Sequence, residues 1–181
     1  MASGAPGEAR GARVTGAERI VAGLEAARVT VAASVPDTWI GQVMGAVRRS
    51  QAVRAVDVAR EEEAVAIACG VSLMGGRAAV LIQNAGLLNC GGVLASLVEL
   101  YRIPCFLVVS YRGDHRDPVY YHAPKGRVTE ATLQAWRLPH DVAGRREWLG
   151  GDLARQVQAG VEFSIESRGP FVLLIGGEDV A

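Results

Sequence analysis

Three consecutive glutamates, Glu61, Glu62 and Glu63, stand directly before the run "AVAIACGVSL", in which only Gly70 and Ser72 are not plainly apolar. Acidic side chains in a first helical turn are stabilised by the helix dipole, by about 0.3–1 kcal/mol each, which accounts for all three as ordinary helix-start residues. The helix behind them argues for more. With no polar face it needs a sheet on one side and another cover, such as a second subunit, on the other. A carboxylate at the start of such a helix lies at a dry seam, where desolvation suits a carboxyl to proton transfer.

Two further stretches carry chemistry-bearing residues. "QNAGLLNCGG" (83–92) contains Asn84 and Asn89, the only asparagines in the chain, on either side of Gly86. Gly86 permits an unusual backbone turn, and free amides at a helix start can meet an anion or a polar ligand. Amides that cap a strand end and a helix start are the plain structural alternative. Neither a Walker A ending nor a GxGxxG pattern is present. The loop 111–127 carries Arg112, His115, Arg116, His122, Lys125 and Arg127, opposed in sequence only by Asp114 and Asp117. Six potential cations in one long loop suit a small anionic substrate. His140, in "LPHDV", reads as structural, and no CxxC or histidine cluster points to a metal site within this chain.

These residues need a frame to hold them. Helical spacing over 17–27 and 37–49, the latter with Asp37 as a natural N-cap, alternates with short β-branched runs at 28–35 and 52–58. The glutamate helix, ending near Gly75-Gly76, is followed by a strand at 78–84, a helix over 88–102 and an uninterrupted apolar strand at 104–111. Helices from 129 to 137 and 147 to 167 and a last strand at 170–176 complete the chain. Strands apolar on both faces, alternating with helices, predict an α/β fold: a doubly wound, mostly parallel sheet with helices on both faces. In such sheets ligands sit beyond the carboxyl ends of the strands, here at "SVPDT", "DVAREEE", "QNAGLLN" and the loop after residue 110.

Composition narrows the function classes. The chain has 181 residues, half of them hydrophobic, with 19 basic and 19 acidic side chains. That is enough for one core, and a single domain over 17–181 is expected behind a disordered tail at 1–16. Zero formal charge excludes the basic excess that a nucleic-acid binder needs. No apolar stretch approaches the ~20 residues of a membrane span, and the first residues lack the apolar core of a signal peptide. Cys69, Cys90 and Cys105 each lie within an apolar run, which fits buried free thiols in a reducing cytoplasm.

Taken together and in order, "SVPDT", "REEEAVAIACG", "IQNAGLLN", "SYRG" and "YYHAPKG" resemble the pyrimidine-binding (PYR) domain of thiamine-diphosphate-dependent 2-oxo-acid decarboxylases, above all the separate α subunits of the phosphonopyruvate and sulfopyruvate decarboxylase group. The resemblance spans roughly 17–177. It implies a thiamine-diphosphate-binding fold of PYR type. Counting back from Gly70 by the family's spacing places the catalytic glutamate at Glu61, a choice that periodicity cannot make. Glu61 would bond N1′ of the cofactor's aminopyrimidine and favour the imino form that removes the thiazolium C2 proton, with the cofactor as electron sink while CO2 leaves. His122 aligns with a family histidine near the cofactor. Pro36, Asn84, Gly86 and Asn89 fall at cofactor-binding positions, and Arg112, His115 and Lys125 face the substrate.

The same resemblance says what this chain lacks. The diphosphate and Mg²⁺ belong to a PP-type domain with a Gly-Asp-Gly segment and a later Asn, and neither is present here. The implied enzyme is therefore a decarboxylase completed by a β subunit carrying the PP domain, as α2β2 or larger. Two departures are visible. Gly86-Leu87-Leu88-Asn89 stands where the family tends to read Gly-Leu-Gly-Asn, and "YRGDHRDPVYYH" differs from the family's "WRG" loop. Other readings of the same residues are a subunit of a thiamine-diphosphate-dependent carboligase in a biosynthetic pathway, or a non-catalytic subunit that keeps the fold.

Overall fold

The computed structural model describes residues 14–145 and 151–181. In chain order the elements are α1 (Gly16–Ala26), β1 (Val31–Ser34), α2 (Thr38–Val47), β2 (Arg54–Asp57), α3 (Glu61–Leu73), β3 (Ala78–Gln83) and α4 (Asn84–Asn89). A short α5 (Gly91–Val93) runs into a π-helical turn (Leu94–Glu99), followed by β4 (Cys105–Ser110) and a 3-10 turn (Tyr120–His122). Then come α6 (Ala123–Ala135), β5 (His140–Val142), α7 (Leu153–Ser167) and β6 (Pro170–Ile175). The six strands form one sheet in the order β2-β1-β3-β4-β6-β5. Every neighbouring pair is parallel, so the sheet is wholly, not mostly, parallel.

Parallel strands cannot be joined by tight turns, so each link is a crossover and the helices cover the sheet. Successive strand residues point to opposite faces. Ala79 and Leu81 of β3 join Phe106, Val108 and Leu173 in a core packed against α1, α2 and α7. Val80 and Ile82 join Leu107, Val109 and Leu174 on the other face, under Ala64, Val65, Ala68 and Cys69 of α3 and Leu133 of α6. Each fully buried Leu, Ile or Phe in these layers contributes about 1.5–3 kcal/mol.

Element ends differ from the sequence reading in instructive ways. The expected tail at 1–16 lies outside the described residues as far as position 13. Thr15 and Gly16 already belong to α1, whose start is closed by a reciprocal capping box between Thr15 and Glu18. The helix expected from 129 begins at Ala123, with Pro124 in its first turn where a missing N–H costs nothing. Lys125 and Arg127 therefore sit on a helix and not in a loop. The helix expected over 88–102 starts earlier, at Asn84, and changes pitch at the π-helical turn. Within the described residues the last helix covers Leu153–Ser167, and the start expected for it at 147–150 lies outside them. Strand β5 was not anticipated, because three residues with Asp141 at their centre carry no apolar signal.

The architecture has a switch point that positions the site. From β1 the chain passes through α2 to the edge strand β2, and α3 then crosses back to β3 on the opposite side of β1. The carboxyl ends of β1 and β3 and the starts of α2, α3 and α4 meet where strand order reverses, the crevice in which such sheets bind ligands.

Candidate active site at the switch point

The structure gives the three glutamates three different environments. Glu63 Oε2 accepts the backbone N–H groups of Ala59 (3.1 Å) and Arg60 (3.2 Å), closing the helix start. Glu62 Oε1 takes Arg60 Nη2 at 3.1 Å in an exposed ion pair. Glu61, half-buried, receives no hydrogen bond from the described residues. Its carboxyl group lies against Gly86, where an added Cβ would fall within the van der Waals shells of Glu61 Cγ, Cδ and Oε1. Gly86 is part of α4 and is absent from the glycines with positive φ. The expected unusual turn is not what this glycine supplies; it supplies close approach. Cys90, one turn on, is pushed up to about 12 by burial first and then by Glu62 and Glu61, so it stays a thiol.

Helix α3 is apolar all round in sequence, but the chain itself covers only part of it. Ala64, Val65, Ala68 and Cys69 are buried on the sheet. Ala66 and Gly70 stay exposed, and so do Leu73 (68%) and Met74 (88%) at the far end. Leu100 and Tyr101, after the neighbouring π-helical turn, are exposed as well. Exposed apolar side chains gathered at the ends of two neighbouring helices are the kind of surface that another chain covers.

Beside the glutamate, the strand ends are tied by a polar network centred on Asp37, a residue that sequence reasoning treated only as a helix cap. Its Oδ1 does cap α2, accepting Trp39 N at 3.1 Å and Ile40 N at 2.8 Å. Its Oδ2 accepts Arg112 Nε at 2.8 Å, Ser110 Oγ at 3.0 Å and Gln83 Nε2 at 3.1 Å. Burial pushes the Asp37 carboxyl up, but the bonds from Ile40, Arg112 and Gln83 outweigh it and hold the acid below its ordinary range. The Arg112 guanidinium also lies 3.6 Å from the centre of the Trp39 ring. A Pro-Asp pair straight after a strand at the ligand edge was the available signal.

The loop cations are less free than their sequence suggested. Arg112 is almost fully buried on Asp37, and Arg116 is held by Asp114 at 2.9 Å and by Glu178. Asp37 and Glu178 come from distant segments, so counting charges within the loop missed half of the opposing carboxylates. Lys125 Nζ donates to Gln83 Oε1 at 2.8 Å, a neutral partner that leaves its charge uncompensated by hydrogen bonding. His115 is exposed. Asn84 is fully buried and donates through Nδ2 to Arg112 O (2.8 Å) and Thr129 Oγ1 (2.9 Å), joining the β4 loop to α6. Its Oδ1 and the Ser34 hydroxyl have no partner among the described residues. Pro36 and Asn89 lie exposed at the strand and helix ends.

His122 is held in a different way. Its Nδ1 lies 2.7 Å from Oδ2 of Asp117, whose side chain is completely buried. The two glycines of "SYRG" and "YYHAPKG" explain how this segment reaches the strand end. Gly113, at φ +82°, packs on the backbone of His122, and Gly126 packs on the backbone of Gly113. Neither position has room for a Cβ.

A wholly parallel, doubly wound sheet, with a carboxylate that none of the described residues hydrogen-bonds near its switch point, has the architecture of a ligand-binding α/β domain. The chain belongs to the family described as thiamine pyrophosphate enzyme, N-terminal TPP binding domain, whose profile matches residues 14–130. It is 37% identical over 142 residues to a sulfopyruvate decarboxylase subunit alpha of Methanothermobacter thermautotrophicus, spanning 76% of this chain and 86% of that one. A phosphonopyruvate decarboxylase of Streptomyces viridochromogenes is 36% identical over 116 residues, which is 63% of this chain and 29% of the relative. The fold matches part of a 2-oxoglutarate:ferredoxin oxidoreductase from Magnetococcus marinus, with a TM-score of 0.69 at 16% identity over 92% of this chain and 29% of that one. Among the described residues no helix is long and apolar enough to cross a membrane.

Proposed function

We propose that this chain is the α subunit of a two-subunit thiamine-diphosphate-dependent decarboxylase acting on a small anionic 2-oxo acid of the phosphonopyruvate or sulfopyruvate kind. The observation that carries the reading is the Glu61 carboxylate, without a hydrogen bond from the described residues, seated on Gly86 at the start of a partly uncovered apolar helix. The names of its relatives support decarboxylation, and "subunit alpha" in the names of several supports a partner.

The residues fit the cofactor's aminopyrimidine end. Glu61 can share a proton with a ring nitrogen, since none of the described residues competes for it by hydrogen bonding. Gly86 keeps the space in front of that carboxylate free of a side chain. Pro36 borders the crevice just beyond β1, Asn84 holds the shape of the β3–α4 segment through Arg112 and Thr129, and Asn89 lies exposed at the end of α4. Thiamine diphosphate, when bound, supplies the electron sink for loss of carbon dioxide. A PP-domain β subunit would hold the diphosphate and Mg²⁺, and would cover the exposed positions of α3, Ala66 and Gly70 nearest the glutamate and Leu73 and Met74 at its far end. Lys125 is the principal candidate for the substrate's anionic group. Arg112 is paired with Asp37 and so orders the strand ends more than it offers a free cation, and His115 is exposed on the same loop.

The test is reconstitution with a PP-domain partner, thiamine diphosphate and Mg²⁺, followed by CO2 release from phosphonopyruvate, sulfopyruvate and pyruvate. Glu61→Gln should abolish turnover while the complex still assembles. Full activity in that variant would sink the assignment, and turnover by the chain without a partner would sink the shared site.

A further inference from the structure

The His122–Asp117 pair has a chemical consequence beyond that reading. Asp117 Oδ2 accepts Gly113 N–H at 2.9 Å and faces His122 Nδ1 at 2.7 Å, while Oδ1 accepts Val119 N–H at 3.1 Å. Burial raises the Asp117 carboxyl, but the bonds from Gly113, His122 and Val119 overcome this and keep it below the ordinary carboxylate range. An ionised carboxylate only accepts, so the nitrogen facing it must carry hydrogen. The imidazole then has one tautomer available, and its other nitrogen, Nε2, makes no hydrogen bond with the described residues. The ring plane is fixed too. Tyr121 meets it edge-on with centroids 4.6 Å apart, and the His122 backbone is pinned by Gly113. Asp114 Oδ1 in turn accepts Asp117 N–H at 3.1 Å and Arg116 N–H at 2.8 Å, holding the turn from which Asp117 projects.

We infer that Asp117 is a positioning residue: it locks His122 in the Nδ1–H tautomer and so leaves Nε2, which no described residue hydrogen-bonds, as the ring's proton acceptor. The proposal rests on the decarboxylase reading together with the family resemblance that sets His122 near the cofactor. It goes beyond that reading by naming which nitrogen works and which residue selects it. The carboxylate's separation from His122 by five residues in a tight loop, and not by a helical turn, is why sequence spacing did not reveal it.

The experiment is a nitrogen-15 correlation spectrum of the histidine side chains in the full chain, labelled uniformly and measured alone and in complex with the partner subunit. The chain has three histidines. His140 Nδ1 donates to Leu138 O at 2.9 Å and serves as an internal Nδ1–H standard, and His122→Gln assigns the signal of interest. The expected wild-type pattern is a protonated Nδ1 and a bare Nε2 at His122. Asp117→Asn should release that preference, so that both ring nitrogens move towards the averaged pattern of a free imidazole, and turnover should fall by about 10²-fold or more. A wild-type His122 protonated at Nε2 overturns the proposal, and does so without any variant having to fold. So does an Asp117→Asn protein that loses activity with the Nδ1–H pattern intact, because the damage is then structural. If the wild-type complex releases no CO2 from any of the three acids, the decarboxylase reading fails separately, and the nitrogen shifts still decide the tautomer.

Discussion

Replacing Gly86 with alanine separates function from stability at the centre of the site. The new methyl group would overlap Glu61 Cγ, Cδ and Oε1 and nothing closer. Carbon atoms pack at about 3.5–4.0 Å, so the carboxyl group must retreat by roughly an ångström to relieve the overlap. The Glu61 carboxyl is the flexible end of a side chain that no described residue hydrogen-bonds, so it can move without disturbing the core. Alanine in α4 also gains up to about 1 kcal/mol over glycine in helix propensity. The expected variant therefore unfolds at the wild-type temperature or slightly above it. Its misplaced carboxylate should cost on the order of 10²-fold in kcat, the usual penalty for an ångström of misalignment. Thermal unfolding of the chain and CO2 release by the reconstituted complex measure the two halves. Added to Glu61→Gln, Gly86→Ala should bring almost no further loss, since both changes act on one interaction. Wild-type turnover in Gly86→Ala would refute the reasoning, and so would a loss of several kcal/mol in stability, which would mean that Gly86 serves packing instead of the carboxylate.

Three other perturbations probe the surroundings. Asp37→Asn keeps an N-cap but leaves buried Arg112 without its anion, so it should cost about 3–5 kcal/mol at neutral pH by urea unfolding. The folded pKa of Asp37 lies below its ordinary 3.8. Its contribution is therefore complete above that value and lost as pH falls through the depressed folded pKa. Wild type should lose stability on acidification below about pH 4 more steeply than Asp37→Asn, and parallel acid profiles would contradict the assignment. Lys125→Gln removes one half-buried cation, and should raise KM for an anionic 2-oxo acid about tenfold or more with little change in melting temperature. Met74→Asp, at a position 88% exposed, should leave the chain's own stability within about 0.5 kcal/mol. It should also weaken partner association in analytical ultracentrifugation by at least tenfold, whereas unchanged assembly would place the partner elsewhere.

The alternation of apolar strands and amphipathic helices, the Asp37 cap and the buried thiols are local matters, and the sequence by itself determined them. The strand period, the turn residues and the side-chain burial that produce them act over a few neighbouring residues. The strand order decided what spacing could not. Which glutamate is free depends on Glu63 folding back on Ala59 and Arg60, Glu62 pairing with Arg60, and Gly86, 25 positions beyond Glu61 in the chain, arriving beneath the remaining carboxyl. Family resemblance had pointed to Glu61, and the periodicity of an all-apolar helix was silent. The pairing of Arg112 with Asp37 spans 75 positions, and that of Arg116 with Glu178 spans 62. Both come from a parallel sheet that gathers the carboxyl ends of distant strands at one edge. Charge and polarity are properties of single residues and legible in order along the chain; whether a charge is spent or available is a property of its neighbours in space, and only the folded sheet supplies those.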